Sequence, residues 1–215
     1  MNTRLHILEG GILDFDPDFL TKEEADTFLS ALTTKVEWEA KHYTHRITGE
    51  KIPQPRLTAW YADSNGMEYK YSGVVQVVQP WLPELLAIKD KIEAITGAKY
   101  NSVLLNQYRN GNDSVGLHAD DEKAFGINAN IASVSLGDTR AFFLRRNKSG
   151  SNPDFQVDEK TNQEKAHLFE LSHGSLLVMS GTTQHYWKHE VPKTKLPVGP
   201  RVNLTYRWFN PPEGE

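Results

Sequence analysis

The stretch R-V-N-L-T-Y-R-W, Arg201 to Trp208, decides the fold. Read with the two-residue period of a strand, it divides into two faces. Val202, Leu204, Tyr206 and Trp208 make one face, apolar and bulky. Arg201, Asn203, Thr205 and Arg207 make the other, wholly polar. β-Branched and aromatic residues on one side are what a strand selects. A polar face turned to solvent would be ordinary. Turned inward, each guanidinium would need an anion, because a buried unpaired charge is very costly. A ligand with two carboxylates would suit such a row, and the strand alone leaves both readings open.

Working outward, the chain from residue 100 onward reads as short strands: Ser102 to Arg109, Ala132 to Leu136, Ala141 to Arg145, His167 to Leu171, Ser175 to Met179 and Val202 to Phe209. Several short strands with glycine-rich turns suggest a sandwich or barrel. A polar loop, expected to be mobile, lies between 147 and 165. Two helices precede the strands. Thr21-Lys-Glu-Glu24 is a capping box opening the first, which fades near Lys35. The second starts at Pro80 or Trp81, carries Pro83 in its first turn and stops at Gly97. Residues 1 to 20 look irregular. Residues 36 to 80 are aromatic and turn-rich, with a hairpin turning near Gly49 and a strand over 57 to 63. The expected class is α+β, mainly β, in one domain spanning 1–215.

Bulk properties exclude several classes. No apolar run reaches the about 20 residues that span a bilayer, so no membrane partner is expected. The start, M-N-T-R-L-H-I-L-E-G-G, does not read as a signal peptide, because its apolar stretch is short and carries Glu9. There is no cysteine, which rules out disulfides, thiolate metal sites and a cysteine nucleophile. The chain is expected to be a monomer in the cytoplasm, or in the nucleus of a eukaryotic host. Its net charge is −4, so basic surface for nucleic acid must be local.

G-L-H-A-D-D places His118 and Asp120 two apart, on one side of an extended segment. One more histidine would complete a two-histidine, one-carboxylate triad, which suits iron(II) and leaves positions open for co-substrates. T-Q-H-Y-W-K-H-E-V-P offers His185 and His189, and local chemistry cannot choose between them. His173 precedes a strand and reads as a turn residue. Helical H-x-x-x-H zinc hydrolysis is disfavoured, since Tyr186, Trp187 and Lys188 include no catalytic glutamate. Asn106 and Tyr108 share one face of their strand and could reach the same dicarboxylate.

Together these pieces resemble the AlkB-type iron(II)/2-oxoglutarate dioxygenases, from about Pro55 to Asn210. The resemblance rests on P-R-L-T-A-W-Y-A-D, Y-K-Y-S-G, N-Q-Y-R-N-G, H-A-D-D, I-A-S-V-S-L-G, H-G-S-L-L-V-M, H-E-V-P and R-V-N-L-T-Y-R. It implies a double-stranded β-helix (jelly-roll) core over about 100–210, flanked by the N-terminal helices and by a nucleotide-recognition hairpin lid over about 36–80. It selects His189 as the distal ligand, so that His118, Asp120 and His189 are the iron(II) and catalytic set. Arg201 would take the distal carboxylate of 2-oxoglutarate, and Arg207 would sit near its chelating end. Asn106, Tyr108, Asn203 and Thr205 would add hydrogen bonds.

With dioxygen as the second co-substrate, the implied reaction oxidises an N-methyl carbon on a damaged DNA or RNA base such as 1-methyladenine or 3-methylcytosine. It releases formaldehyde, succinate and carbon dioxide. By position, Tyr69 and Tyr71 would face the flipped base, Asp121 would contact its edge, and Arg56 would end the recognition hairpin. Arg140, Arg145, Arg146 and Lys148 are candidates for phosphate contacts. The hairpin segment Ile47-Thr48-Gly49-Glu50 carries no aromatic wedge, which leaves single strand or duplex open. Two competing readings stand beside this one. One is a dioxygenase of the same site acting on a protein or small molecule. The other is a non-catalytic nucleic-acid-binding module, which would have no use for His118, Asp120, His189, Arg201 and Arg207 together.

Overall fold

Residues 201–207 form a strand buried along its whole length. Such a strand needs a layer against each face, and the rest of the chain supplies both. The structure, a computed structural model, describes residues 4–44, 47–63, 68–71, 74–147 and 166–210. A hairpin, β1 (Arg4–Leu8) and β2 (Gly11–Asp16), leads to helix α1 (Lys22–Lys35). A small hairpin of β3 (His42–Thr44) and β4 (Lys51–Pro53) precedes β5 (Leu57–Ala62), β6 (Glu68–Tyr71) and β7 (Val74–Gln79). Helix α2 (Pro83–Thr96) then leads to β8 (Ser102–Tyr108), β9 (Val115–His118), β10 (Ile131–Gly137) and β11 (Arg140–Arg146). The series closes with β12 (His167–Leu171), β13 (Leu176–Ser180), the one-turn helix α3 (Thr183–Tyr186), β14 (Trp187–Val191) and β15 (Arg201–Arg207).

One sheet runs β1-β2-β13-β10-β15-β8-β5-β7-β6, and the other runs β12-β11-β14-β9. Two facing sheets whose strands are drawn alternately from the chain make the expected double-stranded β-helix. On one face of β15, Leu204 lies opposite Leu105 and Val134. These three join Leu32 of α1 and Leu85 and Ile88 of α2 in one apolar layer. The other face looks between the sheets. Here Arg201 pairs with Tyr108, Asn203 with Asn106 and Ser135, and Thr205 with Ser133. Phe142, Leu144, Phe169, Leu177 and Met179 fill the remaining interior. The polar row thus faces inward.

Both helices form with the expected end signals, the second beginning at Pro83 rather than at Pro80 or Trp81. Thr21 and Glu24 make both capping-box bonds, while Pro83 is at the start of α2 and Gly97 ends it with φ +69°. The hairpin at Gly49 also forms. Residues 4–16 are not irregular, however. They form a hairpin whose second strand pairs with β13. The signal was Gly10, whose φ of +68° serves the turn and whose hydrogen faces the Tyr186 ring, leaving no room for a side chain. Strands β9 and β14 are too short for their alternation to register before pairing. Trp208 leaves the apolar face: β15 ends at Arg207, Trp208 is half-exposed, and Phe209 is buried instead. Asn101 holds that turn by accepting from the Phe209 N–H and donating to its carbonyl. Of the expected loop, residues 148–165 lie outside the described residues.

Leu204→Ala opens a cavity where two sheet neighbours and two helices meet, and should cost about 2–5 kcal/mol. Urea denaturation of the metal-free protein measures it. A loss below about 1 kcal/mol would mean that the helices do not seal this face as described.

Candidate metal centre

His118 ends β9 and His189 is the middle residue of β14, and the ladder makes them partners. Pairing register, not sequence spacing, therefore brings the imidazoles to 4.3 Å between centroids. Asp120 follows two residues after His118 and returns to the same side. The three side chains offer donor atoms that all lie within 4.8 Å of one another. His118 Nε2 is 3.8 Å from Asp120 Oδ1, and His189 Nε2 is 4.0 Å from Asp120 Oδ2. These gaps are too long for hydrogen bonds. A single cation at about 2.0–2.2 Å from each donor spans them.

The neighbours set the protonation of each donor. His118 Nδ1 lies 2.8 Å from the Gly116 carbonyl. A carbonyl only accepts, so Nδ1 carries the proton and Nε2 keeps its lone pair for a metal. Asp120 Oδ2 accepts from Arg207 Nη2 at 2.8 Å and from Nε at 3.3 Å. Its Oδ1 is buried with no partner among the described residues. Burial alone would raise the Asp120 carboxyl. The Arg207 guanidinium overrides it and holds the group well below the usual carboxylate range. Burial, reinforced by His118, pushes His189 down to about 3. One carboxylate and neutral imidazoles are the protonation states that bind a metal. This donor set and its open side fit iron(II).

An anion cradle adjoins the triad. The cavity that His118, Asp120 and His189 line is also bounded by Asn106, Tyr108, Asn203 and Thr205, with Arg201 and Arg207. Arg201 is 1% exposed. Its Nη2 donates to Ser135 Oγ at 2.9 Å, and its guanidinium stands 5.2 Å from the Tyr108 ring centre. Burial lowers it to about 10, so it stays a cation at neutral pH. Its Nε and Nη1 are buried with no partner among the described residues. Such a group calls for an anion with two oxygens, and a carboxylate of 2-oxoglutarate fits it. Asn203 is held by Ser133 and Thr205, at 2.8 and 3.0 Å.

Other expected residues fall elsewhere. Arg56 is buried, donating from Nε to Asn106 Oδ1 at 2.8 Å and from Nη1 to the Ser114 carbonyl. It orients Asn106 from inside the cavity. Asp121 is exposed and borders, with Lys123 and Ile127, a surface cavity that Asp120 also lines. Tyr69 and Tyr71 lie on β6, with side chains outside the described residues. His185 faces away from the triad, 3.2 Å from Asn128 Oδ1. His173 joins the Gly137 N–H to Asp26.

Arg140 corrects an expectation. It is 2% exposed and donates to the carbonyls of Asn110, Asp113 and Pro192. Arginine on the first position of an inward-facing strand is committed to loops, not to phosphate. Arg145 is paired with Glu190, and Arg146 with Glu9; Lys148 lies outside the described residues. The sequence reading missed Glu122. Its Oε2 is buried with no partner among the described residues, and burial together with Asp120 raises its carboxyl. The run Asp120-Asp121-Glu122 could not show which acid turns inward.

The pH dependence has a definite sign. A histidine neutral in the fold down to about 3, yet titrating near its ordinary value of about 6.5 when unfolded, stabilises fully above that value. The contribution is lost as pH falls from about 6.5 toward 3. Metal-free protein should lose urea stability between about pH 7.5 and about pH 5, and His189→Gln should lose less over the same interval. Equal losses would place the dependence in other groups.

The model of the 2OG-Fe(II) oxygenase superfamily matches residues 14–207. The chain is 40% identical over 197 residues to the alpha-ketoglutarate-dependent dioxygenase alkB homolog 3 of Bos taurus, covering 91% of this chain and 65% of that protein. It is 36% identical over 192 residues to the DNA oxidative demethylase ALKBH2 of Bos taurus, covering 88% and 66%. The chain thus spans about two thirds of the length of these relatives. Among solved structures, that of OsALKBH1 superposes with a TM-score of 0.57 at 18% identity, over 94% of this chain and 99% of that one. This last likeness concerns the fold alone.

Proposed function

The chain belongs to the 2OG-Fe(II) oxygenase superfamily, and from that membership we propose that it is an oxidative demethylase of N-alkylated DNA or RNA bases. The observation that carries the reading is one cavity holding both a two-histidine, one-carboxylate centre and a buried Arg201 with unpartnered N–H groups. His118, Asp120 and His189 would hold iron(II). Arg201 would grip the distal carboxylate of 2-oxoglutarate, with Asn106, Tyr108, Asn203 and Thr205 adding hydrogen bonds. Bound iron(II), with 2-oxoglutarate and dioxygen as co-substrates, supplies the oxidation of the N-alkyl carbon.

The chain's own contribution is placement and exclusion of water. Arg207 neutralises Asp120 through Oδ2 and leaves Oδ1 for the metal. Phe142 stacks on His189 at 5.2 Å and holds the ring plane. Leu104, Val115, Met179 and Val191 line the same cavity with apolar surface, which strengthens the electrostatics inside it. Acidic Glu122 and Asp121 beside the centre suit the exocyclic amine or the positive charge of a methylated adenine or cytosine. Tyr69 and Tyr71 would stack on the flipped base. The two relatives named as dioxygenase and DNA demethylase support this substrate class.

The test is a short single-stranded DNA carrying 1-methyladenine or 3-methylcytosine, incubated with iron(II), ascorbate and 2-oxoglutarate. Formaldehyde and repaired base should appear in equal amounts and vanish in Asp120→Ala. Arg201→Met should raise the KM for 2-oxoglutarate by about tenfold or more, the worth of a charge-assisted hydrogen bond. Consumption of 2-oxoglutarate without repair would keep the centre and discard nucleic acid as substrate.

A further inference from the structure

Asp120 differs from the two histidines in how it is held. His118 and His189 are fixed by the β9–β14 ladder. Asp120 lies two residues past the end of β9, outside any strand. Its carboxylate is tied to Arg207, but a single ion pair lets the backbone pivot about the guanidinium. The second tie is Gln184, whose Oε1 accepts from the Asp120 backbone N–H at 2.9 Å. Both residues are buried, so this bond does not compete with water.

We propose that Gln184 is a positioning residue of the metal centre, holding the Asp120 backbone so that its carboxylate faces the two imidazoles. The proposal rests on the reading of His118, Asp120 and His189 as a metal site.

The surroundings of Gln184 fit that task. Its Nε2 reaches Met179 Sδ at 3.6 Å, so the carboxamide is oriented and cannot flip without losing both contacts. Its helix, α3, is one turn long and has little stability of its own. Thr183, 1% exposed, fixes it from outside: the hydroxyl accepts from the Ile12 N–H at 2.9 Å and donates to the Ser180 carbonyl. The chain of contacts therefore runs from the N-terminal hairpin through Thr183 and Gln184 to the carboxylate ligand. It joins β2 and β13 of the large sheet to the loop that follows β9 of the small one.

Mn(II) alone, added to the full chain without co-substrate, reads this role through the electron paramagnetic resonance signal of the free ion. Urea stability is measured in parallel. Gln184→Met keeps the volume and loses the strong acceptor. It should weaken Mn(II) binding about tenfold, the usual effect of removing a group that orients a ligand, with the urea midpoint unchanged. Gln184→Glu keeps an acceptor oxygen and should bind Mn(II) close to the parent. Parent-like binding by Gln184→Met would overturn the positioning role and leave the metal centre standing. Equal weakening in both variants would also overturn it, because packing would then be the cause. Failure of the parent itself to bind Mn(II) would remove the centre and this inference together.

Discussion

Two guanidinium groups are buried at opposite ends of one strand, and the architecture answers that cost. A buried arginine without acceptors is unstable by several kcal/mol. Arg207 is answered by Asp120, whose carboxylate approaches to 2.8 Å. Arg201 is answered only in part, by Ser135. The first solution leaves Asp120 Oδ1 without a partner among the described residues, 3.8 Å from His118 Nε2. The second leaves Nε and Nη1 of Arg201 without a partner among the described residues. The triad and both arginines of β15 thus line one cavity.

The sheets divide the labour. The small sheet places the two histidines opposite each other by ladder register. Strands β8, β10 and β15 of the large sheet present the cradle as adjacent rows. Neither sheet holds Asp120 in a strand, so that ligand depends on side-chain bonds from Arg207 and Gln184. Helices α1 and α2 seal the outer face, and Tyr206 locks the seal by donating to the Leu85 carbonyl at 2.8 Å. Paired strands carry the two histidines, while Asp120 is held by side-chain bonds alone.

Four arginines expected near the substrate are committed to partners in the protein itself. Arg140 braces three loop carbonyls beside Tyr108, and Arg56 braces Asn106. Arg145 and Arg146 are paired with glutamates.

Much was legible without coordinates, because it is written in local periodicity and end signals. The alternation over 201–207 specified both faces of β15. Thr21 and Glu24, Pro83 and Gly97 marked the helix ends. His118 and Asp120 were paired by a two-residue spacing. What needed the tertiary structure was everything set by long-range pairing. Local chemistry could not separate His185 from His189; family likeness selected His189, and the β9–β14 register shows why, since only that residue stands opposite His118. The inward direction of Arg140, the coupling of Arg207 to Asp120, and the burial of Glu122 beside exposed Asp121 are likewise absent from the spacing of residues. The N-terminal hairpin was missed because its second strand gains its place from β13, more than 150 residues away. A strand's own sequence says which side is apolar, and only its partners decide what lies against the other side.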